Sequence, residues 1–168
     1  MSNPAPAPVN THGTCIALSC AGHRAGVLLQ GAPGTGKSSL ALRLIDQSGF
    51  GIGSADPIRG HLVSDDQVIL EDVNGVLTAS APPAIEGLLE VRGTGIVKSD
   101  KTSFPVRLDM VIAHADAADI ERLPEFAVVE LGGQSLPLHK IDFSTPSSAA
   151  QVRTLALIQW GLASFSNS

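Results

Sequence analysis

Charge is scarce in this 168-residue chain: Asp, Glu, Lys and Arg together make up 16%, and the formal net charge is −5. There is no basic surplus, so the sequence carries no electrostatic footprint for nucleic acid as a main partner. A hydrophobic content of 43% separates it equally from disordered chains. Cysteine is nearly absent. Cys15 and Cys20 are too few for a disulfide framework or a zinc site, and beside an expected strand they read as buried small hydrophobes. No two histidines have metal-ligand spacing on a common helix. No apolar run approaches the roughly eighteen residues that span a bilayer. The first ten residues, MSNPAPAPVN, have neither lysine nor arginine nor the apolar run of a signal peptide. Residues 1–10 are therefore expected to be a loose tail ahead of one domain, residues 11–168, in a cytoplasmic protein.

What is present is a phosphate-binding pattern. Gly31-Ala32-Pro33-Gly34-Thr35-Gly36-Lys37-Ser38 satisfies GxxxxGK[ST] at each fixed position. The bare pattern arises by chance in on the order of one chain in a hundred of this length, but here it has its context. Val27-Leu28-Leu29 precedes it, and the helical pattern from Ser39 to Ile45 comes after it, giving strand, loop, helix. Glycines let such a loop fold back so that backbone N–H groups converge on phosphate oxygens. The new helix adds its unpaired N–H groups and the positive end of its dipole. Lys37 would reach the β and γ phosphates and the Ser38 hydroxyl would ligate Mg²⁺.

Strands are expected over residues 14–18 and 27–30, joined by a turn at 21–24, then a helix from the loop to about Gln47. Short strands at 61–64 and 68–70 flank Asp65-Asp66, and Asn74-Gly75 marks a hairpin into a strand at 76–80. Pro82-Pro83 opens a turn before a strand at 88–92. After Gly93 the signal weakens, with a polar connection at 98–103. Further strands are expected at 106–113, 126–131 and 135–141. Thr145-Pro146 reads as an N-cap with proline at the first helical position of a helix running to about Ala163. Only two helices stand among many strands, unlike the alternation of an ordinary nucleotide-binding sheet. The fold class is α/β of mixed α+β type, strand-rich with few helices.

A loop that handles Mg-nucleotide needs carboxylates. Asp65-Asp66 is the first candidate; neighbours in extended chain point to opposite faces, so one could meet an incoming hydroxyl while the other supports the metal. A solvated Asp-Asp turn is the plain alternative. Strand alternation puts Glu90 and Arg92 on one face, suited to Mg²⁺ and to a triphosphate respectively. An exposed strand face with a cross-strand ion pair is the simpler reading of that segment alone. His12 reads as a surface residue; His114 and His139 show no partner in the sequence, and with His61 they read as structural or exposed.

Together these segments resemble the HPr kinase/phosphorylase family, specifically its C-terminal catalytic domain. That family has a His-Gly before its first core strand (His12-Gly13 here), the phosphate loop (GAPGTGKSS), an apolar strand ending in paired aspartates (LVSDD) and a Leu-Glu-x-Arg-Gly-x-Gly-Ile signature (LLEVRGTGI). The resemblance runs from about Thr11 to Ile96. It implies a fold of the HPr kinase/phosphoenolpyruvate carboxykinase-like type and the short form without the N-terminal domain. It also implies phosphate transfer from ATP, and in some members pyrophosphate, to a serine of the phosphocarrier protein HPr. Many members also run the reverse phosphorolysis, and a hexamer is the family's assembly. By position, Asp65 would be the general base, Ser38 and Glu90 would hold Mg²⁺ with Asp66 in support, and Lys37 with the loop from Gly31 to Ser39 would hold phosphates. Arg92 would stabilise transferred charge and His12 would support the site. After RGTGI the chain departs from the pattern, and Asp142-Phe143-Ser144-Thr145-Pro146 replaces the family's basic Pro-Gly-Arg segment. Kinase activity therefore survives the comparison better than phosphorolysis. The competing expectations are a nucleotide-gated regulatory binding module and a small-molecule kinase with a carboxykinase-like core.

Overall fold

A computed structural model describes residues 3–100, 102 and 105–166. Part of the expected tail (residues 1 and 2) and part of the expected connection at 98–103 lie outside the described residues. The architecture is strand-rich with two α-helices among the described residues, as the sequence predicts.

The sheet is built around its most apolar strands. In β2 (Thr14–Cys20), Ile16, Leu18 and Cys20 face one side and Cys15 and Ala17 the other, and all five are buried. A strand covered on both faces reads as a continuous apolar run, and each Leu or Ile withdrawn from water contributes about 1.5–3 kcal/mol. β2 pairs antiparallel with β3 (His23–Gln30). The turn between them is shorter than expected. Only Ala21 and Gly22 turn, with φ of 47° and 84°, as a two-residue hairpin of primed type requires; His23 and Arg24 already pair with Cys20 and Ser19.

β4 (Arg59–Ser64) pairs with the other edge of β2. β9 (Val106–His114) runs parallel to β3, and β11 (Gln134–Ile141) runs parallel to β9. These three strands point the same way, so their C-terminal ends open side by side, where ligands bind in parallel arrangements. The beginning of β9 instead meets β6 (Val76–Ser80), which continues through β5 (Gln67–Val73) to β1 (Val9–His12). The order is β1-β5-β6-β9-β3-β2-β4, with β10 (Ala127–Leu131) pairing β11 off this path. Asn74 and Gly75 make the predicted hairpin turn with φ of 55° and 82°. Val9 and Asn10, expected in the tail, are paired with Leu70 and Ile69.

β7 (Leu88–Val91) and β8 (Gly95–Lys98) form a separate hairpin. β8 goes unsignalled in the sequence because three of its four residues are exposed and it shows no alternation. Two helices cover one face of the sheet. α1 (Lys37–Asp46) buries Leu40, Ala41, Leu44 and Ile45, the i, i+1, i+4, i+5 stripe of one helical face. α2 (Ser148–Gln159) is shorter than expected at both ends. It starts after Thr145-Pro146, because the Asp142 carboxylate takes the Ser144 N–H (2.9 Å) and hydroxyl (2.6 Å) and Ser148 N–H bonds to Thr145 O (3.2 Å), local bonds that compete with helix. It stops before Ala163 because Gly161 turns left-handed at φ 74°. Leu162 N–H then returns to Leu157 O (2.8 Å) and Gly161 N–H to Ile158 O (3.0 Å), the double closure typical of a helix ended by glycine. The Arg153 guanidinium, on α2, donates to the carbonyls of Gln47 and Arg43, which satisfies acceptors orphaned at the end of α1. No helix among the described residues is long and apolar enough to cross a membrane.

Candidate active site

Residues 31–36 leave the end of β3 and fold over it before α1 begins. Gly31 has no room for a side chain: a Cβ there would lie 2.6 Å from Thr35 Oγ1 and 3.0 Å from His114 Cβ. Gly34 and Gly36 take φ of 83° and 101°, a region that L side chains avoid. The Thr35 hydroxyl donates to Ala32 O at 2.8 Å and closes the bend across Pro33. Gly36, the N-cap of α1, supplies no side-chain capping bond, and no acidic residue occupies the first turn. The first intrahelical bond is Leu40 N–H to Gly36 O (2.9 Å), so the N–H groups of Lys37, Ser38 and Ser39 have no partner within the helix. An anion fits such a terminus through these donors and the helix dipole. Lys37 is buried and donates to Gly31 O at 2.6 Å and Ala32 O at 3.1 Å. Burial lowers its ammonium pKa, and the carboxylates of Asp65 and Asp66 oppose that shift.

Asp65 is the most engaged polar residue of the region. It is buried between β4 and β5; Oδ1 accepts the hydroxyls of Ser38 and Thr14, both at 2.9 Å, and Oδ2 accepts Glu90 N–H at 3.1 Å. It thus ties the first turn of α1 to the start of β2 and to β7. Asp66 differs: its side chain is 70% exposed, its φ is 69°, and it meets His12 Nδ1 at 3.4 Å. The two aspartates diverge, but in a bend between β4 and β5 with Asp66 left-handed, and not through the alternation of an extended strand. Residues 12–14 clamp them both, because Gly13 N–H also donates to Asp66 O at 2.9 Å. Gly13 admits no side chain there, since a Cβ would lie 2.8 Å from Leu29 O.

Arg92 is not on the face expected of it. β7 ends at Val91, and Thr94 N–H closes onto Val91 O at 2.9 Å with Gly93 at φ 82°, so Arg92 sits exposed in the hairpin turn, where strand alternation no longer applies. Glu90 reaches the group through its backbone, and its side chain is exposed. Among the described residues, no three His, Cys, Asp or Glu side chains are grouped to hold a metal ion. Cys15 and Cys20 are free and buried as expected. Burial pushes the Cys15 thiol up to about 12, so it is an inert core group.

Sequence reasoning missed Thr14, whose only signal is a hydroxyl heading an apolar strand. It also missed His114, read there as partnerless. At the end of β9, His114 Nδ1 accepts Phe143 N–H at 3.2 Å, Nε2 meets Asp116 at 3.4 Å, and the ring lies 5.2 Å from that of Phe143.

A sequence model described as the HPr Serine kinase C-terminal domain matches residues 6–105. The HPr kinase/phosphorylase of Geobacillus sp. (strain WCH70) is 47% identical over 74 residues, and that of Clostridium novyi (strain NT) is 42% identical over 73 residues. Each alignment covers 43% of this chain and 20% of the relative, so the chain matches about a fifth of their length. The solved structure of the Hpr(Ser) kinase/phosphatase from Coxiella burnetii superposes with a TM-score of 0.71 at 22% identity, covering 90% of this chain and 96% of that one; at that identity the likeness speaks for the fold. The matched stretch contains the Gly31–Ser38 loop, the aspartate pair and the β7–β8 hairpin, more than half of the sequence, and the chain belongs to the family of HPr serine kinase C-terminal domains.

Proposed function

We propose that the protein is an ATP-dependent kinase that phosphorylates a serine of the phosphocarrier protein HPr, with residues 11–168 as a single catalytic domain. One observation carries the reading: a buried carboxylate, Asp65, is bonded directly to the hydroxyl of Ser38 at a helix N-terminus that has no cap of its own. In this reading a residue that would meet the donor phosphates, Ser38, and the acceptor base, Asp65, are one hydrogen bond apart, which supports phosphoryl transfer carried by positioning and electrostatics.

Backbone N–H groups of the Gly31–Ser39 loop, where Pro33 has none, and the Lys37 ammonium would hold the phosphates. Ser38, with Glu90 and Asp66, would hold Mg²⁺, which when bound would neutralise charge on the transferring group. Asp65 takes the proton of the serine hydroxyl, His12 orients the aspartate pair through Asp66, and Arg92 reaches transferred charge from the hairpin turn. A second assignment of the two aspartates has its own support. Asp65 Oδ1 is already engaged by two hydroxyls, which suits a carboxylate on the metal side. The exposed Asp66–His12 pair would then face the acceptor.

The test is incubation with labelled ATP, Mg²⁺ and HPr from the same cell. Label on an HPr serine is the expected result, and Lys37→Ala weakens nucleotide binding directly. Tight nucleotide binding with no label on any acceptor would replace this reading with a regulatory binding module.

A further inference from the structure

Three parallel strands, β3, β9 and β11, end side by side, and the segments leaving their ends converge on one residue. Gly31 leaves β3 against His114, with only 3.0 Å between a would-be Gly31 Cβ and His114 Cβ. His114 itself closes β9. Past the end of β11, Phe143 donates its N–H to His114 Nδ1 at 3.2 Å, and its ring meets the imidazole at a tilt of 57°. Phe143 in turn walls the phosphate loop: a Cβ on Gly36 would touch Phe143 Cβ at 3.6 Å. The same turn is tied to α1 by Arg43, which donates to Phe143 O at 3.0 Å and Thr145 O at 3.1 Å.

We infer that His114 is a positioning residue of this loop, one that latches the turn at residues 142–145 onto the loop and the start of α1 only while its imidazole is neutral. The inference rests on the reading of residues 31–38 as the nucleotide site. A backbone N–H can only donate, so Nδ1 must be unprotonated while the Phe143 bond stands, and the ring hydrogen is then on Nε2, facing Asp116. Protonation places a second donor against Phe143 N–H and the latch opens.

Charged groups of both signs lie around the ring. Asp116 meets Nε2 at 3.4 Å, and Asp142, whose carboxyl is held below its ordinary range by the Ser144 hydroxyl and amide, also feels His114. The cations α1 brings to the same region are Arg43 on the turn and Lys37 on the Gly31 and Ala32 carbonyls. Lys140 of β11 pairs with Ala113 and by alternation lies on the other face.

Two substitutions separate the acceptor from the ring. His114→Asn keeps an acceptor at the δ position but cannot titrate, whereas His114→Phe keeps the ring contact and removes the acceptor. The measurements are ATP affinity by titration calorimetry between about pH 8 and about pH 5, and the hydrogen exchange of the Phe143 amide. His114→Phe is expected to bind ATP about tenfold more weakly across the range and to lose protection at Phe143, with His114→Asn restoring most of both. The unsubstituted protein should lose affinity on acidification more steeply than His114→Asn, a difference that titration of ATP itself cannot produce. Equal affinities and equal Phe143 protection in folded His114→Phe overturn the latch. So do parallel pH profiles for the unsubstituted protein and His114→Asn. Protection at Phe143 that tracks the acceptor while no form binds ATP would overturn the nucleotide reading instead.

Discussion

At the residue scale, the candidate site depends on how one buried carboxylate is satisfied. A carboxylate withdrawn from water costs several kcal/mol unless its lone pairs are met, and Thr14, Ser38 and the Glu90 amide meet those of Asp65. Each donor comes from a different strand or helix, so Asp65 is where the site is knitted together. Asp65→Asn should leave ATP affinity within about threefold while lowering transfer by about a hundredfold or more, the contribution of a positioned base. If raising Mg²⁺ restores transfer by Asp65→Asn but not by Asp66→Asn, the base is Asp66 and Asp65 serves the metal. The aspartate pair and the lysine were legible in the sequence because they sit in runs whose spacing has a chemical meaning. Thr14 and His114 were not, because a hydroxyl or imidazole gains its role from groups 51 and 29 residues away.

At the element scale, α1 is held in place by close approach as well as by its apolar stripe. A Cβ on Gly60 of β4 would lie 2.3 Å from Leu44 O, a backbone atom that cannot swing aside. Gly60→Ala should therefore destabilise the fold by about 1–3 kcal/mol, the usual cost of overpacking, read as a lowered urea midpoint with an unchanged m-value. An unchanged midpoint would mean that the helix rides more loosely on the sheet than this contact requires. Strand existence was legible wherever both faces are buried, as in β2, or where a turn pair such as Asn74-Gly75 fixes the register. The ends of α2 were read too wide. Its start is set by local bonds, Ser148 N–H to Thr145 O and Ser144 N–H to the Asp142 carboxylate, that the Thr145-Pro146 pattern does not reveal, and its end by left-handed Gly161 with Leu162 N–H on Leu157 O.

At the scale of the whole molecule, two apolar clusters lie on opposite faces of the same central strands: Ile16, Val27 and Met110 with the helices, and Cys15, Leu28 and Val111 with the β5–β6 side. The most protected amides should therefore be those of β2, β3 and β9, with the β7–β8 hairpin exchanging far sooner, because local opening is easiest where burial is least. Native-state hydrogen exchange checks this, and a hairpin as protected as β3 would show that it is held by contacts beyond its own pairing. The hairpin is attached at one edge, through Glu90 N–H to Asp65 and Leu89 in the helix-side core.

By itself, the sequence determined the local chemistry: a glycine-rich bend that only small residues can follow, a helix start without a cap, and paired aspartates ending an apolar strand. These depend on neighbours along the chain, and neighbours along the chain are what a sequence records. The tertiary structure alone decided which distant groups those side chains meet. Asp65 joins Ser38 and Thr14 because antiparallel pairing brings the end of β4 beside the start of β2. His114 meets Phe143 because β9 and β11 run parallel and finish together. Pairing register between remote strands is set by the burial of both sheet faces at once, a property of the assembled core and of no single segment.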